Sequence, residues 1–264
     1  MPSQSPALTD QWNDFLLRRV DPYAMAKYGI LLDWLGDVRG KTVLVAGCGS
    51  GELCALLARR GAIVDAFDLE QRNLDLARET AQRLGAEFNT FVASIDDVGD
   101  AKRYDVVAAT DVIEHVRDDR AAVLKLKRLV KPAGRLVLTV PARAELMGYH
   151  DEILGHFRRY SRRTLRPLVE PDFAIERIRY FGFFLIPVTL IVSRWLRRPY
   201  PVAAMSRDES SPSFAGRVLA LVLGFERRWS MGAGTSLLLV ARDGRDGADG
   251  YGSATGAGRT TVSM

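Results

Sequence analysis

The sequence predicts an α/β fold in which a mostly parallel sheet carries helices on both faces. Three observations lead there. Short apolar runs alternate with helical stretches from Lys41 to Pro141. The first run breaks at a glycine-rich turn, Gly47-Cys48-Gly49-Ser50-Gly51, which opens the next helix. The second run ends in a carboxylate, Asp68. Helices that connect successive strands make those strands parallel, and a parallel sheet is buried on both faces.

The elements follow in order. Residues 1–8 read as a loose leader. Trp12, Phe15, Leu16 and Leu17 lie at near-helical spacing and predict a helix over 10–20. Asp21-Pro22 then supplies a cap and a first helical position for a helix over 23–35, which residues 36–40 close. Strands are expected at 42–46, 62–67, 88–93, 104–110 and 135–140. Helices are expected at 52–60, 70–84 and 120–130, the last ended by Lys131-Pro132-Ala133-Gly134. Ligands of such sheets bind outside the carboxyl ends of the strands. That sets Gly47, Gly49, Gly51, Asp68, Ser94 and Asp111 along one rim.

The pattern changes after Pro141. Residues 150–159 are polar and aromatic. Ser161 caps a short helix to Arg166, which Pro167 is expected to end. A strand is expected at 173–180, an uncharged run at 180–193 broken by Pro187, a loop rich in Pro and Ser at 199–213, an apolar helix at 214–229 and a last strand at 236–241. Residues 243–264 hold 6 of the 23 glycines and almost no large apolar residues, a composition that predicts disorder. The domain organisation expected is a helical cap over 1–40, a body over 41–242 with an apolar helical insertion at about 180–229, and a glycine-rich tail over 243–264.

Composition narrows the class. The chain has 264 residues, 47% hydrophobic and 26% charged, which excludes collagen-like, wholly disordered and multi-span membrane chains. The start has no basic stretch followed by an apolar run, so no secretory leader is expected. Cys48 and Cys54 flank one turn and suit neither a disulfide framework nor, by themselves, a zinc site. The expectation is a cytoplasmic, reducing location. The net charge of +5 is uneven: residues 151–229 hold 14 Arg, no Lys and 8 acidic residues. A polyanionic partner and a merely solvated Arg-rich face are both consistent with that excess.

The glycine turn lets backbone approach a ligand closely at a helix N-terminus, where N–H groups are free. It is not the dinucleotide G-x-G-x-x-G, because residue 52 is Glu, and no Lys-Ser/Thr follows as in a phosphate loop. Asp68, about 20 residues on, is at the distance for accepting ribose hydroxyls. Asp111-Val112-Ile113-Glu114-His115 brings polar groups beside an apolar pair after the fourth strand, and His115 is a candidate base.

With these residues in hand, a family resemblance emerges. Val43 to Gly51 resembles the first motif of the class I S-adenosylmethionine-dependent methyltransferases. Val64-Asp65-Ala66-Phe67-Asp68-Leu69 is similar to their ribose-binding strand end. Tyr104-Asp105-Val106-Val107 through Val116 is similar to their fourth-strand motif, and Leu129 to Leu136 to the turn before their fifth strand. The four motifs span about Thr42 to Pro141 and resemble most the small-molecule group that includes quinone-biosynthesis enzymes.

The resemblance implies a Rossmann-like, seven-stranded sheet with only the last strand antiparallel. It implies S-adenosylmethionine as cofactor, bound by Gly47, Cys48, Gly49, Gly51, Asp68, Leu69, Ser94, Ile95, Asp111 and Val112, with no metal. The family often has acidic residues where Val45 and Ser94 stand here. It also implies that the N-terminal helices, with Tyr23 and Tyr28, close over the cofactor. The stretch Gly155-His156-Phe157-Arg158-Arg159-Tyr160 resembles a subset of bacterial members. Candidate catalytic residues are His115, His156 and Tyr160, and candidate substrate contacts are His150, Arg158 and Arg159.

The expected reaction is methyl transfer to a small or lipid-like acceptor, at oxygen before nitrogen or carbon. The apolar stretches 180–198 and 214–229, flanked by Arg and Trp, are expected either at a membrane surface, as in a protein peripheral to the inner face, or in a lid or dimer contact. Three alternatives stand beside this reading. A nucleic-acid methyltransferase is disfavoured because Asp111-Val112-Ile113-Glu114 replaces the Asn/Asp-Pro-Pro-aromatic run of many such enzymes. A non-catalytic binding protein of the same fold is the second. A nicotinamide oxidoreductase is disfavoured by Glu52.

Overall fold

The computed structural model describes residues 21–170, 172–198 and 214–244. The helix expected over 10–20, the loop over 199–213 and the tail from 245 lie outside the described residues.

Helix α1, Pro22–Leu35, begins as its sequence predicts: the Tyr23 N–H donates to the Asp21 carboxylate at 2.8 Å, and Pro22 occupies the first turn. Seven strands follow: β1 (Thr42–Ala46), β2 (Ile63–Asp68), β3 (Asn89–Val92), β4 (Tyr104–Thr110), β5 (Val130–Pro141), β6 (Phe173–Phe181) and β7 (Ser236–Asp243). They form one sheet in the order β3-β2-β1-β4-β5-β7-β6. Pairs from β3 through β5 are parallel, and β7 runs antiparallel to both β5 and β6. The helices between and beside the strands are α2 (Glu52–Ala58), α3 (Gln71–Leu84), α4 (Asp119–Arg128), α5 (Tyr149–Leu154), α6 (Arg162–Val169) and α7 (Phe214–Arg228).

Side chains alternate across each strand. In β1, Val43 and Val45 face a core shared with Leu31 of α1, Leu57 of α2 and Leu223 of α7. Leu44 and Ala46 face the opposite core, shared with Leu126 of α4 and Leu165 of α6. The chain leaves β1 toward β2 on one side and returns to β4 on the other. This reversal opens a crevice above the carboxyl ends of β1 and β4.

Two boundaries differ from the sequence expectation by three residues or more. Helix α6 continues through Pro167 to Val169, with Ser161 as its cap. Proline removes one donor from an eight-residue helix. The fully buried Leu165 and Val169 hold the final turn in place against that loss. Strand β5 begins at Val130, before the expected turn: Tyr104 pairs with Val130 and Val106 with Arg135. The intervening residues bulge, with Ala133 at φ 54°.

The segment between β6 and β7 is helical but broken. Turns at Phe183–Leu185 and Ile186–Val188 lead into a wider, π-helical stretch at Thr189–Trp195. Glu226 of α7 fastens its start, accepting the N–H groups of Gly182, Phe183 and Phe184 at 2.7, 3.0 and 3.1 Å. Arg227 joins α7 to α1 through a two-pronged pair with Asp33. Among the described residues, no helix is long and apolar enough to cross a membrane.

Candidate functional site

The rim of the crevice is built from strand ends. After β1 the chain turns through Gly47, Gly49 and Gly51, all with positive φ (62°, 52° and 79°). A Cβ at Gly47 would stand 2.6 Å from Val112, and one at Gly51 2.7 Å from Ala77. A Cβ at Gly49 would meet nothing within 4 Å, so the turn is open to the crevice there. Asp68, at the end of β2, accepts the Gly49 N–H at 2.9 Å and the Asn73 amide at 2.9 Å. Its neighbour Leu69 is 70% exposed, an apolar surface beside the turn. The Cys48 N–H donates to the Phe67 carbonyl at 3.0 Å, tying the turn to β2.

Ser94 follows β3, and its hydroxyl is held by Asp97 at 2.6 Å. The Ile95 side chain is buried in the core. Val45 is likewise buried among apolar residues.

Asp111 follows β4 with φ 55°, a strained conformation for a residue with a Cβ. Three contacts hold it: its N–H bonds Thr139 O at 2.9 Å, its carboxylate accepts Thr139 Oγ1 at 3.1 Å, and Lys27 of α1 pairs with the same carboxylate. Burial alone would pull the Lys27 ammonium down and push Asp111 up. Their mutual attraction wins, and the pair stays charged.

A cavity of about 510 Å³ opens beside this rim. Tyr23, Lys27, Asp111, Glu114, His115, His150, His156 and Arg159 supply its polar wall, and Leu185, Val188 and Leu219 its apolar one. Tyr23 is fixed by bonds to Thr235 at 2.7 Å and Ser236 at 2.9 Å and stacks on Phe181. A smaller cavity, about 200 Å³, lies between α1 and the glycine turn; Tyr28, Ser50, Glu52 and Asp111 line it. Asp111 therefore borders both.

The loop after β5 delivers the histidines. It returns beside β5, with the Tyr160 N–H on Pro141 O and the Phe157 N–H on Glu114 O, each at 2.8 Å. His156 Nδ1 lies 2.8 Å from Asp151, which is fully buried and also takes the Arg159 Nε at 2.8 Å and the Gly148 N–H at 2.9 Å. Burial pushes the Asp151 carboxyl up, but these donors bring it down to about 2. The rings of His115 and His156 meet edge to face at 4.6 Å. Desolvation at the cavity wall, reinforced by His156, pushes the His115 imidazole down to about 4. Glu114 moves the other way: burial and the nearby Asp111 raise its carboxyl well above the usual range.

The structure brings His115, His150, His156, Arg159 and Asp111 to the wall of one cavity. It turns two other candidates away from that cavity. Tyr160 is buried away from the cavity, with its hydroxyl on Asp119 at 2.9 Å; burial and that carboxylate raise its pKa, the reverse of what a base requires. Arg158 points the same way, to Asp119 at 2.8 Å and to the Arg117 carbonyl at 2.6 Å. Arg159 remains on the wall, already paired with Asp151.

Sequence reading misses Lys27 and Asp151, whereas the apolar wall comes from the stretches 180–198 and 214–229, for which a lid is among the expectations. Asp151 carries a signal, an acid five residues before His156 in a helical stretch. Lys27 carries none, because its partner lies 84 residues away.

Comparison with known proteins adds an independent line. The family model described as a methyltransferase domain matches residues 18–171. The ubiquinone biosynthesis O-methyltransferase of Cronobacter sakazakii is 35% identical over 122 residues, 46% of this chain and 49% of that one. Its counterpart in Alkalilimnicola ehrlichii is 35% identical over 107 residues, 40% and 43% of the two chains. The chain thus spans about half the length of these curated relatives. An S-adenosylmethionine-dependent methyltransferase from Mesorhizobium loti superposes with a TM-score of 0.57 at 18% identity, over 82% of this chain and 97% of that one. The magnesium protoporphyrin IX methyltransferase of Synechocystis, solved with bound S-adenosylhomocysteine, gives 0.57 at 18% identity, over 90% and 95%. At such identities the two structures speak to the fold.

Proposed function

The chain belongs to the methyltransferase-domain family and has the class I fold, and from that premise we propose that it transfers a methyl group from S-adenosylmethionine to a hydroxyl oxygen of a small or lipid-like acceptor. The observation that carries the reading is Asp111, which borders both the glycine-turn cavity and the larger, half-apolar one. A cofactor site and an acceptor site therefore meet at one residue.

The residues suit the cofactor. The open position at Gly49 leaves room for it, and the methionine and ribose would lie along Gly47, Cys48, Gly49 and Gly51. Asp68 accepts three N–H donors and keeps lone-pair capacity for ribose. Exposed Leu69 offers a face for adenine, with Ser94 and the backbone of Ile95 at its edge and Val112 and Asp111 toward the methionine. Bound there, the cofactor supplies a methyl group already activated on a sulfonium. Tyr23, fastened to β7, and α1 exclude water. His115 and His156, facing the cavity, deal with the acceptor's hydroxyl proton.

An acceptor with an apolar body matches Leu185, Val188 and Leu219 on the wall. The same segments carry Ile191, Trp195, Leu196, Leu221, Phe225 and Trp229 on their outer surface, beside exposed Arg194, Arg198, Arg217 and Arg228. We read this face as resting on an anionic membrane surface at the cytoplasmic side. Sedimentation with phosphatidylglycerol vesicles, weakened by Trp195→Ser with Trp229→Ser, tests that part.

The principal test is transfer of radiolabelled methyl from S-adenosylmethionine into a cell extract separated into organic, small aqueous and macromolecular fractions. Gly49→Asp serves as the blank. Label in the organic fraction supports a lipidic acceptor, label in the small aqueous fraction a polar one, and label in nucleic acid overturns the reading.

A further inference from the structure

Four hydroxyls line the large cavity among the described residues, those of Tyr23, Thr189, Thr235 and Ser236. Tyr23 bonds Thr235 and Ser236, so these three occupy one another. Thr189 stands apart. It is 4% exposed and lines the cavity, yet its hydroxyl has no hydrogen-bond partner among the described residues. A helical threonine commonly returns its hydroxyl to a carbonyl one turn back, and Thr189 makes no such bond. It is the single polar side chain between Phe183 and Val192. Buried polar groups are ordinarily satisfied, and the cavity is where this hydroxyl has room for a partner.

The fold holds Thr189 in that position through the π-helical stretch that it opens. Such wider turns often mark functional sites. Later in the same stretch, fully buried Ser193 accepts the His150 N–H at 3.0 Å. The fit there is close: a Cβ on Gly148 would stand 2.7 Å from the Ser193 hydroxyl. Arg194 donates to the carbonyls of Glu145 and Met147 at 3.2 and 3.3 Å, and Arg197 meets Glu152 at 2.7 Å. The stretch is therefore pinned to the loop after β5, which brings His150 and His156 to the same cavity.

We propose that Thr189 is a specificity-determining residue of the acceptor site, and that its hydroxyl bonds a neutral oxygen, hydroxyl or carbonyl, on the apolar body of the acceptor. A threonine hydroxyl both donates and accepts, so it takes either group. An anionic oxygen does not suit the position, because Leu185 and Val188 on the same wall offer no counter-charge. Thr189 borders the large cavity and not the smaller one beside the glycine turn. The oxygen it holds is therefore separate from the one that receives the methyl group. The acceptor carries two oxygen functions, one at the Asp111 rim and one against the inserted segment.

This inference rests on the methyl-transfer reading and sharpens its acceptor. Methylation alone asks for one hydroxyl within reach of the sulfonium. The Thr189 contact asks in addition for a second oxygen, and it penalises an acceptor without one by leaving the hydroxyl buried and unpaired. Binding should feel this contact more than the chemical step does, so KM rather than kcat carries the preference.

The test uses the full chain loaded with S-adenosylhomocysteine and two neutral probes, meta-pentylphenol and pentylresorcinol, which differ by one hydroxyl. Calorimetry should show the parent binding pentylresorcinol about 5–20-fold more tightly. In Thr189→Val, which keeps the branched shape, the preference should fall to about twofold, the statistical share of two equivalent hydroxyls. Thr189→Ser should restore it. The melting temperature of Thr189→Val should equal or exceed the parent's, because no internal bond is lost. A parent that does not distinguish the probes, a preference that survives Thr189→Val, or a clear drop in that variant's melting temperature overturns the proposal. Radiolabelled S-adenosylmethionine separates the two readings. A Thr189-dependent preference with no methyl reaching either probe would sink methyl transfer alone; methyl transfer with a preference indifferent to Thr189 would sink the contact alone.

Discussion

Lys27 of α1 pairs with Asp111 at the end of β4, and the contact latches the N-terminal helix over the crevice. Lys27 is almost fully buried, whereas the Asp111 carboxylate keeps a partly open face toward both cavities. Replacing Lys27 by Met leaves a carboxylate without its counter-charge. We expect a loss of about 1–3 kcal/mol in urea unfolding, below the range for a fully buried pair because Asp111 is partly solvated. Asp111→Asn on the Lys27→Met background should restore part of it. A double-mutant cycle showing no coupling would refute the latch.

The glycine turn separates folding from binding. Gly51→Ala drives a Cβ into the backbone and side chain of Ala77 at φ 79° and should lower the melting temperature steeply. Gly49→Ala meets open space and carries only the strain of a left-handed residue, about 1–2 kcal/mol. Gly49→Ala should therefore fold while losing affinity for S-adenosylmethionine in calorimetry. Equal losses of stability in the two variants would contradict the geometry.

Much of this is legible in the sequence because it is local. The alternation from Lys41 to Pro141 marks the strands and the rim, since hydrophobic period and turn chemistry act over a few residues. Asp21 and Ser161 are recognisable as caps for the same reason. What stays hidden is long-range. Nothing near Lys27 announces Asp111, and nothing near Glu226 announces Gly182. Tyr160 and Arg158 mislead because adjacency to His156 in sequence says little about direction in a loop. His156 and Arg159 turn to Asp151, while Arg158 and Tyr160 turn to Asp119.

Glu226 is the single acid in a helix of apolar and basic residues, and it binds three successive backbone N–H groups. Glu226→Gln keeps one acceptor but loses the charge, at a cost of about 1.5–3 kcal/mol. The effect should be local. Amide hydrogen exchange should quicken at residues 182–184 before it changes in β1 or β4. Uniform acceleration across the sheet would mean that the segment is not fastened at this point.

Asp65 makes stability depend on pH in a stated direction. Burial raises its carboxyl, but Lys102, Asn89 and Tyr104 donate to it and the balance falls below the usual value. A carboxylate with a depressed folded pKa contributes stability above its unfolded value, near 3.9, and loses it as pH falls through the folded value. Asp65→Asn should cost about 1–3 kcal/mol at pH 7. The gap from the parent should close as unfolding is measured below pH 4. Lys102 is half exposed, so Lys102→Ala should cost less than about 1 kcal/mol. A gap that widens in acid would mean that the folded protein favours the protonated Asp65 instead.

Tyr160 offers the sharpest contrast between sequence and structure. As a base it would have to reach the cavity and ionise easily. Its hydroxyl instead donates to Asp119 inside the protein, and burial beside that carboxylate resists ionisation. Tyr160→Phe should therefore leave kcat within about twofold while lowering stability by about 0.5–1.5 kcal/mol, the net worth of one hydrogen bond. His156→Ala should do the opposite, because its ring faces the cavity and its packing is shared with His115. A Tyr160→Phe enzyme that folds normally but loses kcat by orders of magnitude would return the tyrosine to the chemistry.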